Sequence, residues 1–349
     1  MSNTTTLISL VIVFYNEENY LDRCLQSVVN QTYNKIEVIL INDGSTDHSL
    51  QVAQKYTTIL ENVKLISIEN SGSAVARNMG LKNVTSKYVT FLDADDTLQP
   101  NMMQVFASEI KQTNADLLLC DFHILSEDGT TEMPSKWHFS YTNIKNSSDL
   151  ANTFYREGIV ETIWSKVFLA SIAKQITFDK ELKLFDDRPF VLEFILLSNS
   201  VSFIPQKLIN NYCRKASLTR RVLSEVRVKD VYRLFEVEFA VLKKYQVENI
   251  YKKGVFKNAL DYFMDTFLIQ IIDKKEIKQL KELRKLFQNL LHNFINDMKK
   301  EHFYFGIKDK IALFLIHSPT FFGWKFSNGI VSALKHKRIQ IIKKIKDQS

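Results

Sequence analysis

The chain has 349 residues, 45% of them hydrophobic, enough for one large domain with an extension or two modest domains, and this excludes wholesale disorder. Its formal charge of +7 is unevenly spread: residues 1–250 carry −4 and residues 251–349 carry +11. Three scattered cysteines, Cys24, Cys120 and Cys213, exclude a disulfide framework and a cysteine zinc site, so a reducing, cytoplasmic setting is expected.

The polar, uncharged start of the chain lacks the basic stretch of a signal peptide. Leu7 to Tyr15 is a continuous apolar, β-branched run, the pattern of a strand buried on both faces of a parallel sheet. A helix follows, with Tyr20, Leu21, Cys24, Leu25, Val28 and Val29 on one stripe. Further strands are expected at Ile36–Ile41, Val63–Ile68 and Tyr88–Leu92, alternating with helices at Asp47–Tyr56 and Ser73–Leu81. A helix at 101–112, a strand from Asp116 to His123, and a polar insertion or mobile loop from Ser126 to Asp149 come next. Thr162–Ala173 and Phe190–Leu197 read as helices, with Val201–Ile204 as a strand between them and the rest.

This alternation predicts a doubly wound α/β domain with a mostly parallel sheet over residues 1–220. Beyond it, residues 221–349 read as a helical, basic region with amphipathic helices at 225–245, 252–272, 276–298 and 328–346. No run of about 18 apolar residues interrupts the chain, so no spanning helix is expected.

In such sheets ligands bind at the carboxyl ends of the strands, and each strand here ends in a polar cluster. Asp93-Ala94-Asp95, with Asp96 beside it, follows a buried strand. Carboxylates so placed can hold a ribose and a divalent cation, Mn²⁺ or Mg²⁺, whose charge would offset a departing diphosphate. Asp43, in Asn42-Asp43-Gly44-Ser45-Thr46-Asp47, can accept the imide N–H of uracil, although the same run is good turn and helix-capping chemistry. Tyr15 is either a stacking surface for the base or a rim aromatic. Arg77, in a stretch of small residues from Gly72 to Gly80, can reach a diphosphate, secure the Asp cluster, or lie on the surface.

Together these blocks resemble the family-2 glycosyltransferases with a GT-A fold: Val11 to Glu18, Ile41 to Asp47, Gly72 to Gly80, and Phe91 to Asp96. Phe14 stands where many members have proline. The resemblance implies an inverting single displacement and carries roles onto matching positions. Tyr15, Glu17, Asp43, Arg77 and Asp93 would bind the donor, a UDP-sugar, with Asp95 on the metal. The general base would be Asp187, from Phe185-Asp186-Asp187-Arg188-Pro189-Phe190, unless that pair only caps the helix that Pro189 begins. Trp164, Lys166, Arg188 and Arg214 are candidates for acceptor or phosphate contact. The histidine ligand that some relatives place after the last strand has no counterpart from Tyr212 to Arg221.

The acceptor suggested by the resemblance is a hydroxyl of a cell-surface polysaccharide, a teichoic acid or a lipid-linked glycan. The basic tail suits peripheral contact with the inner face of the membrane, or a helix packing on its own domain or another subunit. Nucleic acid is not expected as a partner, since no recognition motif accompanies the charge. A nucleotidyltransferase would place a glycine-rich basic loop where Tyr15-Asn16-Glu17-Glu18 stands, and a non-catalytic scaffold would be expected to lack one of the four aspartates.

Overall fold

The computed structural model describes residues 8–133, 147–157, 161–214, 225–251, 253–255 and 257–258. Strand β1 (Ile8–Phe14) lies between β2 (Ile36–Asp43) and β4 (Tyr88–Asp93), with β3 (Val63–Ile68) outside β2, and all of these pairings are parallel. Every residue of β2 is buried, as are all but one of β1, which is why both read as unbroken apolar runs. Helices α1 (Leu21–Val29), α2 (Ser49–Tyr56) and α3 (Ser73–Asn83) are the crossovers between these strands. Helix α3 sits close against the sheet because Gly80 has no side chain. A Cβ there would lie 2.4 Å from Cγ1 of Val11.

The second half of the sheet is less regular. The full order is β3-β2-β1-β4-β7-β6-β8-β5, where β5 is Thr97–Leu98, β6 Leu117–Ser126, β7 Lys166–Leu169 and β8 Val201–Cys213. β7 runs antiparallel to both β4 and β6, whereas β6 and β8 are parallel, so the sheet is mostly but not wholly parallel. Helix α4 (Met102–Thr113) precedes β6, and α5 (Ser147–Glu157), the single turn α6 (Ala170–Ala173) and α7 (Asp187–Leu197) complete this part.

Three expectations change. Thr162–Ala173 is not one helix but β7 followed by α6, because the Val167-Phe168 run completes the sheet between β4 and β6 and is buried there. β8 extends nine residues past Ile204: Leu208 and Ile209 are buried, Asn210 to Cys213 half-buried, and the stretch pairs with β6 and β5. A helix, α5, begins at Ser147, inside the expected polar insertion; residues 134–146 of that insertion lie outside the described residues.

The described residues fall into two compact units, one holding those up to 214 together with 236–251, the other holding 225–235 and those beyond 251. Helix α8 (Glu225–Lys244) supplies residues to both. The helices expected at 276–298 and 328–346, and nearly all of that at 252–272, lie outside the described residues.

An aromatic core fixes α7 on the sheet. Phe91 of β4 meets Phe168, Phe178 and Phe190 edge-on at about 6 Å, and Phe178 stacks on Phe190 at 4.1 Å. Phe190 and Phe194 belong to α7, so this cluster sets where the start of that helix lies relative to the end of β4.

At the opposite edge of the sheet Glu37 is buried and accepts from Lys64 Nζ at 2.7 Å, from Ser9, and from Thr85 N and Oγ1 at 2.9 Å each. Burial pushes its carboxyl upward, but Lys64, Ser9 and Thr85 outweigh this and hold it at about 2, below the usual 4.5. A depressed folded-state value gives stability that is present above pH 4.5 and lost as pH falls towards 2. Glu37→Gln is therefore expected to lower unfolding free energy at pH 7 by on the order of 2–3 kcal/mol. In urea denaturation the difference from wild type should vanish as the pH approaches 2.

Candidate active site

Because β1, β2, β3 and β4 run parallel, their carboxyl ends, Phe14, Asp43, Ile68 and Asp93, share one edge. The loops there interlock through side chains. Asn16, in the left-handed region at φ 54°, accepts Thr46 N–H at 2.8 Å, and its own N–H donates to Ser45 Oγ at 3.1 Å. Glu17 N–H donates to Ser49 Oγ at 2.7 Å, while Glu18 accepts His48 N–H at 2.9 Å. The polar runs after β1 and β2 thus hold each other in place.

Asp43 is buried, and its two carboxylate oxygens accept the N–H groups of Ser71 and Gly72 at 2.8 and 3.0 Å. It anchors the loop before α3. Gly44 permits this approach: its φ is 71°, and a Cβ would lie 2.6 Å from Asn70 N. Tyr15 stands on the rim, 46% exposed.

Arg77 is largely buried and joins two acidic elements. Its Nη1 donates to Asp186 at 2.7 Å and its Nη2 to Asp93 at 3.3 Å. Burial works against its charge, but Asp186, Asp93 and Asp187 prevail and hold it protonated. Of its expected uses, the geometry shows the securing of the Asp cluster.

Asp93, Asp95 and Asp96 gather carboxylate oxygens within 4.8 Å of one another. Asp96 is wholly buried and accepts Asn211 Nδ2 at 2.9 Å and Tyr212 N–H at 3.0 Å, so it braces the turn. Asp95 is held at about 6 by burial, with Asp93 and Glu17 adding to the rise and Arg214 opposing it. Arg214 Nη2, 2.6 Å from Asp95 Oδ2, balances part of this charge. The gathered carboxylate oxygens are the hard donors a divalent cation takes, and they fit one at Asp95 with Asp93 beside it.

Asp187 opens α7 beside Asp186, and no side chain caps the helix. Asp186 is committed to Arg77, while the Asp187 carboxyl has no hydrogen bond or ion pair among the described residues. Burial lifts it to about 7, reinforced by Asp186, Asp93 and Glu161 against Arg77.

Two expected contact residues are placed otherwise. Lys166 is buried in β7 and donates to Thr162 O at 2.5 Å, and burial pulls its amine down to about 7 against Asp187, Cys120 and Glu161. Arg188 is buried too, paired with Glu238 and with Glu161 at 2.5 Å, its guanidinium 5.1 Å from the Phe154 ring. Both were expected on the acceptor or phosphate side; the fold turns them inward, where they support β7 and α7. Trp164 packs edge-on to Phe122 at 4.7 Å and is half-buried. Arg214 does face the acids, bonding Glu17 at 2.7 and 3.1 Å.

One contributor was not foreseen. Arg23 of α1 donates to Asp95 O at 2.9 Å and lies 3.5 Å over the Tyr212 ring, tying the Asp turn to α1 and β8. In sequence it is one polar position among several on the outer face of a helix, with nothing to single it out.

Residues 9–177 match the family model described as Glycosyl transferase family 2. They are a family-2 glycosyltransferase domain. Asp187 and Arg214 lie beyond the matched stretch. The chain is 30% identical to the glycosyltransferase GlyA of Streptococcus pneumoniae over 219 residues, which are 61% of this chain and 31% of GlyA. It thus spans about a third of GlyA's length. It is also 28% identical to the cholesterol galactosyltransferase of Borreliella burgdorferi over 277 residues, 76% of each protein. Its structure superposes on that of Staphylococcus aureus TarS residues 1–349 in complex with UDP-GlcNAc, with TM-score 0.66 at 21% identity, over 81% of this chain and 80% of the other. That likeness establishes the GT-A architecture of the family-2 domain. No helix among the described residues is long and apolar enough to cross a membrane.

Replacing Arg77 by glutamine would leave Asp186 buried without its counter-charge. Thermal and urea unfolding should show a loss of about 3–5 kcal/mol, the usual cost of removing one partner of a buried pair. Adding Asp186→Asn to that variant should recover part of it.

Proposed function

We propose that the chain is an inverting glycosyltransferase that moves a sugar from a UDP-sugar to a hydroxyl of a cell-surface polysaccharide, teichoic acid or lipid-linked glycan. The observation that carries this reading is the Asp187 carboxyl, unpartnered among the described residues and placed by α7 beside the Asp93–Asp96 turn. The family-2 match and the UDP-GlcNAc bound to the structurally similar TarS support the donor class, and relatives named for teichoic acid synthesis support the acceptor class.

In this reading Tyr15 stacks on the uracil, and Asp43 accepts its imide N–H through lone pairs left by Ser71 and Gly72. Asp93 holds the ribose, and Glu17 serves the donor side through its grip on Arg214. Asp187 takes the proton of the acceptor hydroxyl as that oxygen bonds to the anomeric carbon. The bond to the diphosphate breaks on the opposite face, so configuration inverts and UDP leaves with the electron pair. A divalent cation, Mn²⁺ or Mg²⁺, held by Asp95 would supply charge to offset the diphosphate as it departs. In this reading residues 1–220 are the catalytic domain and 221–349 an extension for acceptor, membrane or subunit contacts, and a cytoplasmic enzyme, peripheral on the inner membrane face, suits it.

Release of UDP from a panel of UDP-sugars, with Mn²⁺, Mg²⁺ or EDTA, tests this directly. Asp187→Asn should keep UDP affinity and lower turnover by roughly 10²–10⁴-fold, the range for a general base. Asp95→Asn should lose the response to added metal. No UDP binding by any form would sink the donor reading.

The pH profile gives a separate check. A base raised to about 7 is protonated and idle below that value. Turnover should therefore fall about tenfold per unit of pH below 7 and level off above it. An acidic limb centred near pH 4 would remove Asp187 from the role.

A further inference from the structure

Arg214 meets the acid cluster from the end of β8, on the other side from Arg77. Its Nη1 and Nη2 grip both oxygens of Glu17 at 2.7 and 3.1 Å, and Nη2 also lies 2.6 Å from Oδ2 of Asp95. The guanidinium carbon is 4.6 Å from the centre of the Tyr20 ring, whose hydroxyl donates to Glu127 at 2.9 Å. Nε is buried and has no hydrogen-bond partner among the described residues. The side chain is therefore held by two carboxylates and a ring face, with one donor unspent.

This places a fixed positive charge on the carboxylate that the proposed function assigns to a divalent cation. Two cations on one carboxylate oxygen repel strongly in a half-buried site, so a metal ion at Asp95 requires the guanidinium to withdraw. A diphosphate gives it somewhere to go, since phosphate oxygens match the guanidinium fork as well as carboxylates do.

We propose that Arg214 is a resident competitor for the metal. It neutralises Asp95 in the free enzyme and passes to the donor's diphosphate when the nucleotide binds, so that cation and UDP bind cooperatively. The proposal rests on the metal and donor roles assigned above. It makes Arg214 a positioning residue that sets the order of binding: the bare protein holds divalent cations weakly, and the nucleotide complex holds them well.

Mn²⁺ binding to the full chain, followed by loss of the free-ion electron paramagnetic resonance signal, tests this without any turnover. In the absence of nucleotide, Arg214→Gln should bind Mn²⁺ at least about tenfold more tightly than wild type, because a unit charge has been removed from beside the ligand. Arg214→Lys, which keeps the charge, should stay near wild type, and Asp95→Asn should abolish the gain. In the wild type, UDP should raise Mn²⁺ affinity beyond what the Mn²⁺–UDP complex in solution accounts for, a measurement that stands even if Arg214→Gln folds poorly. Equal or weaker Mn²⁺ binding by Arg214→Gln, or no effect of UDP on the wild type, overturns the proposal. UDP binding measured alongside, with Mn²⁺ and in EDTA, separates the causes: UDP bound equally well in both defeats the competitor role alone, and no UDP bound in either defeats the donor reading with it.

Discussion

Arg77 is held between Asp93, at the end of β4, and Asp186, at the start of α7, at 3.3 and 2.7 Å. This contact joins two parts of the chain that are far apart in sequence and makes one site of them. The aromatic core beneath, with Phe91 against Phe178 and Phe190, delivers the two carboxylates to bonding distance. Without the guanidinium, however, three acids would face one another across a half-buried gap. Packing brings the groups together, and the arginine makes their proximity tolerable.

The same balance governs the rest of the edge. Asp96 is stabilised by Asn211 and the Tyr212 N–H, Asp95 and Glu17 by Arg214, and Asp43 by two loop N–H groups. Asp187 receives no such partner among the described residues, and burial lifts its carboxyl to about 7. A base needs an acid group left uncommitted yet partly screened from bulk water, and the half-buried Asp187 carboxyl combines the two. The partnered acids shape the turn, and the unpartnered one is free for proton transfer in the proposed reaction.

Lys166 and Arg188 illustrate how tertiary packing redirects charged residues. Both stand next to residues that matter for the site, and in sequence both read as surface cations available to a phosphate. β7 is a central strand, so Lys166 is covered by its neighbours, and its amine turns to Thr162. Arg188 lies in the buried first turn of α7 and points towards Glu161 and Glu238. Glu238 lies fifty residues further along the chain, which no local pattern could pair with it.

Local pattern was enough for much of the first hundred residues. Runs such as Ile36–Ile41 are buried on both faces, and a continuous apolar stretch has few alternatives to a central strand. The acids at strand ends were equally legible, because a parallel sheet must place those ends on one edge. What sequence left open is everything decided by contacts distant along the chain. The short Val167-Phe168 run became a strand because β4 and β6 offered it unpaired edges, against its helical spacing. Arg77 took the Asp cluster over a surface position because α7 supplied Asp186, and Arg23 joined the site because α1 packs beside the turn it caps. Residue types and strand order determined which chemistry could assemble; the folded packing alone decided which acids are neutralised and which stays free, since that depends on distances of a few ångströms between groups that sequence does not make neighbours.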